Sequence, residues 1–269
     1  MDFRQQKKLF LTLALGLAAT TNIYADNDND PCHGPTALMS IVDRPSVADS
    51  ACTVPDNKVV VELGYQYGKL TSAGYQQNYP ETEIRLGIKY NTEIFLFLPN
   101  YIHQSTAPTS GYANSFIGIK HLVASTDKWQ TAITATFFPS SGSYAFGNNG
   151  SGATLNIVAS YNATRQLNLT GQLGVSNQTT SSADGGQRFT TVNPDLILSY
   201  SLTDNLDIYA EVNGQSRTGP RQGSGFNSDG GLIYLLRQNM TVDIEAGQRI
   251  SGALGSFNHY VGTGMAIEF

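Results

Sequence analysis

Charge is what this chain has least of. Only 14% of its 269 residues are charged, against about 25% in ordinary soluble domains. Basic residues are the scarcer half, 16 Lys and Arg against 21 Asp and Glu. No basic cluster occurs beyond the first eight residues, which argues against a nucleic-acid partner. Long apolar runs are missing too: past the N-terminus no stretch approaches the roughly 20 apolar residues of a membrane-spanning helix. The deficit is not that of a disordered chain, because aromatic residues make up 10%, β-branched residues are plentiful and the net charge is only -5. Gly, Ser, Thr, Asn and Gln fill the space that charge leaves. Two classes survive, a secreted β-protein and a β-barrel embedded in a membrane.

The first 25 residues have the form of a secretory signal peptide. Arg4, Lys7 and Lys8 make a basic n-region, and residues 9–19 an apolar segment too short to span a bilayer. Ala25 offers a small residue before a cleavage point at Asp26, although Ile23 is bulkier than the usual signature. Cleavage removes those three basic residues and Asp2, leaving 13 basic against 20 acidic residues. Cys32 and Cys52 are the only cysteines, and an even count in an exported chain predicts a disulfide. It would close a loop of about 20 residues, worth roughly 3 kcal/mol. Zinc is disfavoured, with His33 the one extra ligand nearby. The run from Asp26 to Asp30 opens like a calcium loop, but Pro31 stands where the turn glycine is needed and no closing Glu follows. It reads as an acidic spacer, and no metal or cofactor is expected.

From residue 58 apolar and polar residues alternate with the period of a strand. Val59, Val61, Leu63, Tyr65 and Tyr67 alternate with Lys58, Glu62, Gly64, Gln66 and Gly68. The last segment sets Val261, Thr263, Met265, Ile267 and Phe269 against Tyr260, Gly262, Gly264 and Glu268. Twelve such strands are predicted. The one from Glu93 to Gln104 is apolar on both sides, and its parity stays open. Short turns are expected at 91–92, 124–127, 162–165, 203–205 and 237–239, and longer loops at 70–76, 105–112, 139–151, 177–188, 215–227 and 251–258. Such alternation is that of an outer-membrane barrel, with turns in the periplasm and loops outside. A β-sandwich also alternates, but its water-facing side is rich in charge, whereas the polar side here is small and uncharged. Aromatic residues near strand ends (Tyr65, Tyr67, Tyr90, Trp129, Phe137, Tyr161, Tyr200, Tyr234) suit interfacial girdles. Phe269, with Ile267 and Met265 on its side, has the form of a terminal assembly signal. The reading is all-β: a transmembrane antiparallel β-barrel of about twelve strands over residues 58–269, behind a leader of residues 26–57.

The segment Asp229-Gly230-Gly231-Leu232-Ile233-Tyr234-Leu235-Leu236, then Asn239-Met240-Thr241-Val242-Asp243 and terminal Phe269, resembles the outer-membrane barrel family named for the meta-pathway of phenol degradation. Leu98-Pro99-Asn100-Tyr101, Gly118-Ile119-Lys120 and Phe138-Pro139-Ser140-Ser141-Gly142 are similar to its earlier landmarks. The resemblance covers roughly residues 58–269. It implies a barrel transporter and, from the family's name, uptake of aromatic compounds; no binding residue is carried over.

With the apolar sets toward lipid, the other side lines the lumen. That places Lys58, Glu62, Glu83, Arg85, Lys89, Lys120, Asp195, Asp207, Glu211, Asp229, Asp243, Glu245, Arg249 and Glu268 inward. The first strands can neutralise one another, but the acids of the last five have fewer partners and predict a mildly cation-preferring pathway. A salt-bridged, blocked interior is the alternative. The leader is expected to plug the lumen, cap its periplasmic mouth or hang as a tail, and the sequence leaves these open. His103-Gln104-Ser105 has the spacing of a His–Ser pair in outer-membrane lipid hydrolases. It continues Thr106-Ala107-Pro108 where that pattern has Asn-Gly-Arg, so no catalytic residue is assigned. Short loops, poor in aromatic anchors, leave a structural or adhesive barrel as the second class. The expected function is passive uptake of small molecules without chemistry. The expected partners are outer-membrane lipid, the barrel assembly machinery and the solute.

Overall fold

The computed structural model describes residues 30–269 and the backbone of Ile23–Tyr24. The signal peptide expected over residues 1–25 lies otherwise outside the described residues. Fourteen strand segments follow the leader: β1 Val59–Leu70, β2 Tyr75–Ile88, β3 Thr92–Phe97, β4 Tyr101–Gln104, β5 Ser110–Tyr112, β6 Phe116–Ser125 and β7 Trp129–Phe138. The second half comprises β8 Gly152–Asn162, β9 Leu167–Thr179, β10 Arg188–Thr203, β11 Leu206–Gln215, β12 Gly225–Arg237, β13 Met240–Ser251 and β14 Phe257–Glu268. β3 and β4 are one interrupted stave of the wall, β5 and β6 the next, so there are twelve staves. Successive staves pair antiparallel, and β14 returns to β1 from Glu268 opposite Val60 to Phe257 opposite Leu70. The sheet therefore closes on itself, which leaves no open edge.

Five tight connections lie at one end, at 89–91, 126–128, 163–166, 204–205 and 238–239. The connections at the other end include a 13-residue loop at 139–151. Residues 110–112, expected inside a loop, instead extend the sheet, with Tyr112 opposite Tyr101 and Ser110 opposite His103.

Alternation sorts the two surfaces. Ile117, Ile119, Leu155, Ile157, Leu196, Leu198, Val212, Ile244 and Val261 point outward and are 46–55% exposed. A continuous apolar exterior of this kind is stable only against lipid. Rings mark its borders. Tyr67 stacks on Tyr75 at 5.5 Å toward the loop end, and Trp129 meets Tyr161 at 4.5 Å beside the tight turns. The structure also settles the parity of β3: Glu93 and Phe95 face inward while Ile94 and Leu96 face out. Gly118 makes this possible, because a Cβ there would collide with the Phe95 ring.

The lumen is not empty. Residues 30–57 lie inside the wall at the tight-turn end, with one short helix, α1 (Leu38–Ile41). Eight leader residues, among them Cys32, Leu38, Ile41, Val42 and Val54, pack with Val60, Leu122, Leu235 and Ala266 of the wall in a twelve-residue apolar cluster. The barrel thus has little apolar interior of its own, and the leader supplies its core. A disulfide joins Cys32 to Cys52 across 20 residues. Replacing both cysteines by serine should cost roughly 3 kcal/mol of leader closure and make residues 30–57 the first segment cut by added protease, with the wall intact. Equal leader lifetimes in both forms would show that the staple does not hold it.

Candidate functional site: a charged lumen divided by the leader

Four ionisable side chains on β1, β2, β3 and β6 are fully buried: Glu62, Arg85, Glu93 and Lys120, each 0% exposed. Pairing of Arg85 with Val60 and Phe95, and of Glu93 with Lys120, brings them to one inner patch. Arg85 donates from Nε to Glu93 at 2.9 Å, and from Nη1 to Glu62 at 2.8 Å and to the Ile41 carbonyl at 2.6 Å. Lys120 Nζ donates to Asp43 at 2.8 Å and lies 3.4 Å from Glu93. The leader completes this belt with its backbone: the N–H groups of Asp43 and Arg44 donate to Glu62 at 3.1 and 2.8 Å, and that of Val54 donates to Glu93 at 2.7 Å.

Burial works to raise the Asp43 carboxyl, but Arg85, Lys120 and the Ser50 N–H outweigh it and hold it below its ordinary value. Its contribution is therefore present above the ordinary carboxylate range and is lost only as pH falls through the depressed value. Asp49 has the opposite sign: burial and the Asp43 charge push it up, against Lys120 and a 3.1 Å hydrogen bond from Asn156.

The far wall, β10 to β13, carries Asp195, Glu211, Asp229, Asp243 and Glu245, all at most 9% exposed. Arg44 of the leader is the one basic residue that reaches it among the described ion pairs, at 3.4 Å from Asp243 and 3.8 Å from Glu245, with Glu81 at 2.9 Å on its other side. Burial opposes the Arg44 charge, yet Asp243, Glu81 and Glu245 more than offset it and raise its pKa. Gly64 and Gly264, paired across the closing seam, leave the flat floor on which the guanidinium lies, since a Cβ on either would strike it. Glu211 accepts from the Val47 and Ala48 N–H groups, both at 3.0 Å.

Not every inward assignment stands. Lys89 is a correction: the chain leaves the sheet after Ile88 and turns with positive φ at Tyr90 and Asn91, which places Lys89 exposed at the rim. Arg249 stands on the inward side of β13, opposite Asn227, exposed at the loop mouth and bonded to Asn258 at 2.9 Å and to the Gly252 carbonyl. Glu268 pairs with Lys58 at 3.5 Å at the tight-turn rim. Asp207 faces a cavity on the tight-turn side. Glu83 has its carboxylate within 4.8 Å of those of Asp43 and Glu62. Phe269 closes the seam through backbone bonds with Val59 in both directions. His103 makes no hydrogen bond to Ser105 among the described contacts; the Ser105 hydroxyl accepts from the Tyr75 N–H at 2.9 Å. Sequence reasoning missed Glu93, Asp43 and Arg44. The tight turn at 89–91 was a usable signal for Glu93, because it puts Glu93 opposite Gly87, two residues from Arg85 on the same side.

The leader segment from Arg44 to Asp49 separates two cavities. One of about 200 Å³, toward the tight turns, is bordered by Arg44, Asp49, Ser160, Ile197 and Tyr209. The other, of about 340 Å³ toward the loops, is bordered by Val47, Asn156, Asp195, Asn227 and Tyr260. Arg85→Met is expected to leave Glu62, Glu93 and Asp43 short of a partner and to cost about 3–5 kcal/mol in urea unfolding of the folded barrel. A loss below about 1 kcal/mol would mean that the belt does not hold leader to wall.

The family described as "Putative MetA-pathway of phenol degradation" matches residues 42–267. An outer membrane channel from Pseudomonas putida F1 superposes with a TM-score of 0.67 at 8% identity, covering 84% of this chain and 100% of that one. The NanC porin gives 0.54 at 14% identity, with 78% and 98% covered, and the KdgM porin 0.52 at 11%, with 77% and 99% covered. At these identities the likeness is one of fold. No curated protein matches the sequence.

Proposed function

The chain belongs to the family described as "Putative MetA-pathway of phenol degradation", and on that premise we propose that it is an outer-membrane channel for passive uptake of small organic solutes, aromatic compounds among them. The observation that carries this reading is the inverted surface: an apolar exterior around a lumen of carboxylates, amides and hydroxyls, with two cavities that both border the leader. The channels and porins that share the fold support the same role. In this reading residues 1–25 direct export and are cleaved, and Phe269 is what the barrel assembly machinery recognises. The loops face outward from the cell, and the leader plugs the periplasmic half of the lumen.

Transport needs no chemistry from the protein. A solute entering from the loop side exchanges its hydration for the acceptors of the far wall, and passes when the Arg44–Asp49 segment gives way. Selectivity follows from lumen radius and from the carboxylates, since rings of such groups favour cations. Arg44 is the charge that damps this preference while the leader is in place.

Single-channel recording of the mature protein in a planar bilayer tests the proposal. The intact chain should give small or infrequent steps, and a form lacking residues 26–57 should give larger, cation-preferring ones. In that form Asp243→Asn with Glu245→Gln should lower the cation preference. Silence from both forms of a verified folded barrel would remove the diffusion channel, and unchanged selectivity in the double variant would remove the acidic pathway.

A further inference from the structure

The loop-side cavity of about 340 Å³ is within the size of small-molecule sites, and its acidic flank carries buried oxygens without partners. Asp195 Oδ1 and Asn227 Oδ1 belong to residues that border the cavity and are 9% and 4% exposed, and neither oxygen accepts a hydrogen bond. Asn193 Oδ1 on the same strand as Asp195, and Asp229 Oδ1 on the same strand as Asn227, are equally unsatisfied. A buried acceptor left unpaired has lost its hydration and gained nothing in return, so three at the cavity border and one behind them amount to a standing demand for donors.

Register keeps them together. Asp195 lies opposite Asn213, Asn213 opposite Asn227, and Glu211 opposite Asp229, so they occupy neighbouring rungs of β10, β11 and β12. No ion pair joins Asp195, Glu211 or Asp229 to a basic side chain among the described residues, because Arg44 is committed to Glu81, Asp243 and Glu245. The other border is apolar. Val47, at the tip of the leader, is 56% exposed and borders the cavity together with Phe257 and the ring of Tyr260.

We propose that this cavity binds a small organic cation, with its ammonium group against the Asp195 carboxylate and the Asn193 and Asn227 amide oxygens and an apolar body resting on Val47 and Phe257. Three N–H donors on one positive centre answer both the unmade hydrogen bonds and the unpaired charge. An anion is repelled by Asp195 and by the Glu211 and Asp229 carboxylates on the neighbouring rungs. A bare metal ion fits less well. Among the described residues three carboxylates converge within 4.8 Å only at Asp43, Glu62 and Glu83. There Arg85, Lys120 and leader N–H groups already donate to Glu62 and Asp43. The inference rests on the channel reading for its biological sense and names the solute class that the lumen favours.

Calorimetric titration of the full mature protein in micelles at neutral pH tests it, with 2-phenylethylamine, its neutral analogue 2-phenylethanol and phenylacetate as probes. The amine should bind at least about tenfold more tightly than the alcohol, and phenylacetate should not bind. Asp195→Asn and Asn227→Ala should each weaken the amine about tenfold, whereas Asp207→Asn, on the other side of the leader, should not. The three-probe comparison on the unaltered chain stands even where a variant fails to fold. Equal affinity for amine and alcohol, or amine binding indifferent to both substitutions in folded protein, overturns the proposal. A barrel that conducts once the leader is removed, but whose intact chain does not take up the amine, sinks this inference alone. Amine binding by a barrel that never conducts keeps the site and sinks the channel.

Discussion

The grip of Arg85 on Glu62, Glu93 and the Ile41 carbonyl is the interaction on which the rest of the molecule depends. A guanidinium with no exposure to water is tolerable only when its donors are satisfied and its charge is offset. Here two wall carboxylates and a leader carbonyl do both. Lys120 repeats the arrangement with Asp43 and Glu93. Wall and leader are thus each incomplete without the other: remove the leader and Glu62 and Glu93 lose its N–H donors and Lys120 its Asp43 carboxylate; remove the wall charges and the leader loses its acceptors. Hydrogen bonds and ion pairs fix most of residues 43–50, with Ala48 alone packed in an apolar cluster against Ile197 and Tyr209.

This follows from the inversion that a membrane barrel imposes. Apolar residues are spent on the exterior, so the interior must be held together by polar contacts or by a segment brought in from elsewhere. Both solutions are used, in different halves. Near the tight turns the leader brings Leu38, Ile41, Val42 and Val54 to a few small wall residues such as Ala266. Toward the loops the interior is carboxylate, amide and hydroxyl. Glycine has a particular part here, since the paired Gly64 and Gly264 leave the space in which the Arg44 guanidinium lies.

Much of the wall was legible in the sequence because a period of two has only two outcomes, and one exposed charge or buried Val per strand settles which. Val61 to Tyr67, Leu196 to Tyr200 and Val261 to Phe269 all face where alternation puts them. Legibility failed where alternation carries no information. β3 has apolar residues on both sides, so alternation alone does not place Glu93; the register of the turn before it and the space that Gly118 leaves for Phe95 do. Lys89 was misplaced because parity says nothing about where a strand stops, and it lies just beyond the end of β2. The leader was the least legible segment. Its partners lie up to 199 residues away, as for Arg44 and Asp243, and no local pattern announces which acid a buried arginine will meet.

The leader's contacts are also unevenly strong, and this bears on how the proposed channel would open. Residues 32–42 and 52–54 are anchored by apolar burial and tied together by the disulfide; withdrawing them exposes hydrocarbon, at about 25 cal/mol for each Å². Residues 44–49 are held by hydrogen bonds and ion pairs to Glu211, Gln172, Glu81 and Asp243. Ion pairs of this kind nearly break even against hydration, so water entering the lumen returns most of what their rupture costs. The tip is therefore the part of the leader with the lowest opening cost, and its residues border both cavities. A loop fixed at both ends by an apolar anchor and a covalent bond, and held at its tip by exchangeable contacts, moves aside without leaving the barrel.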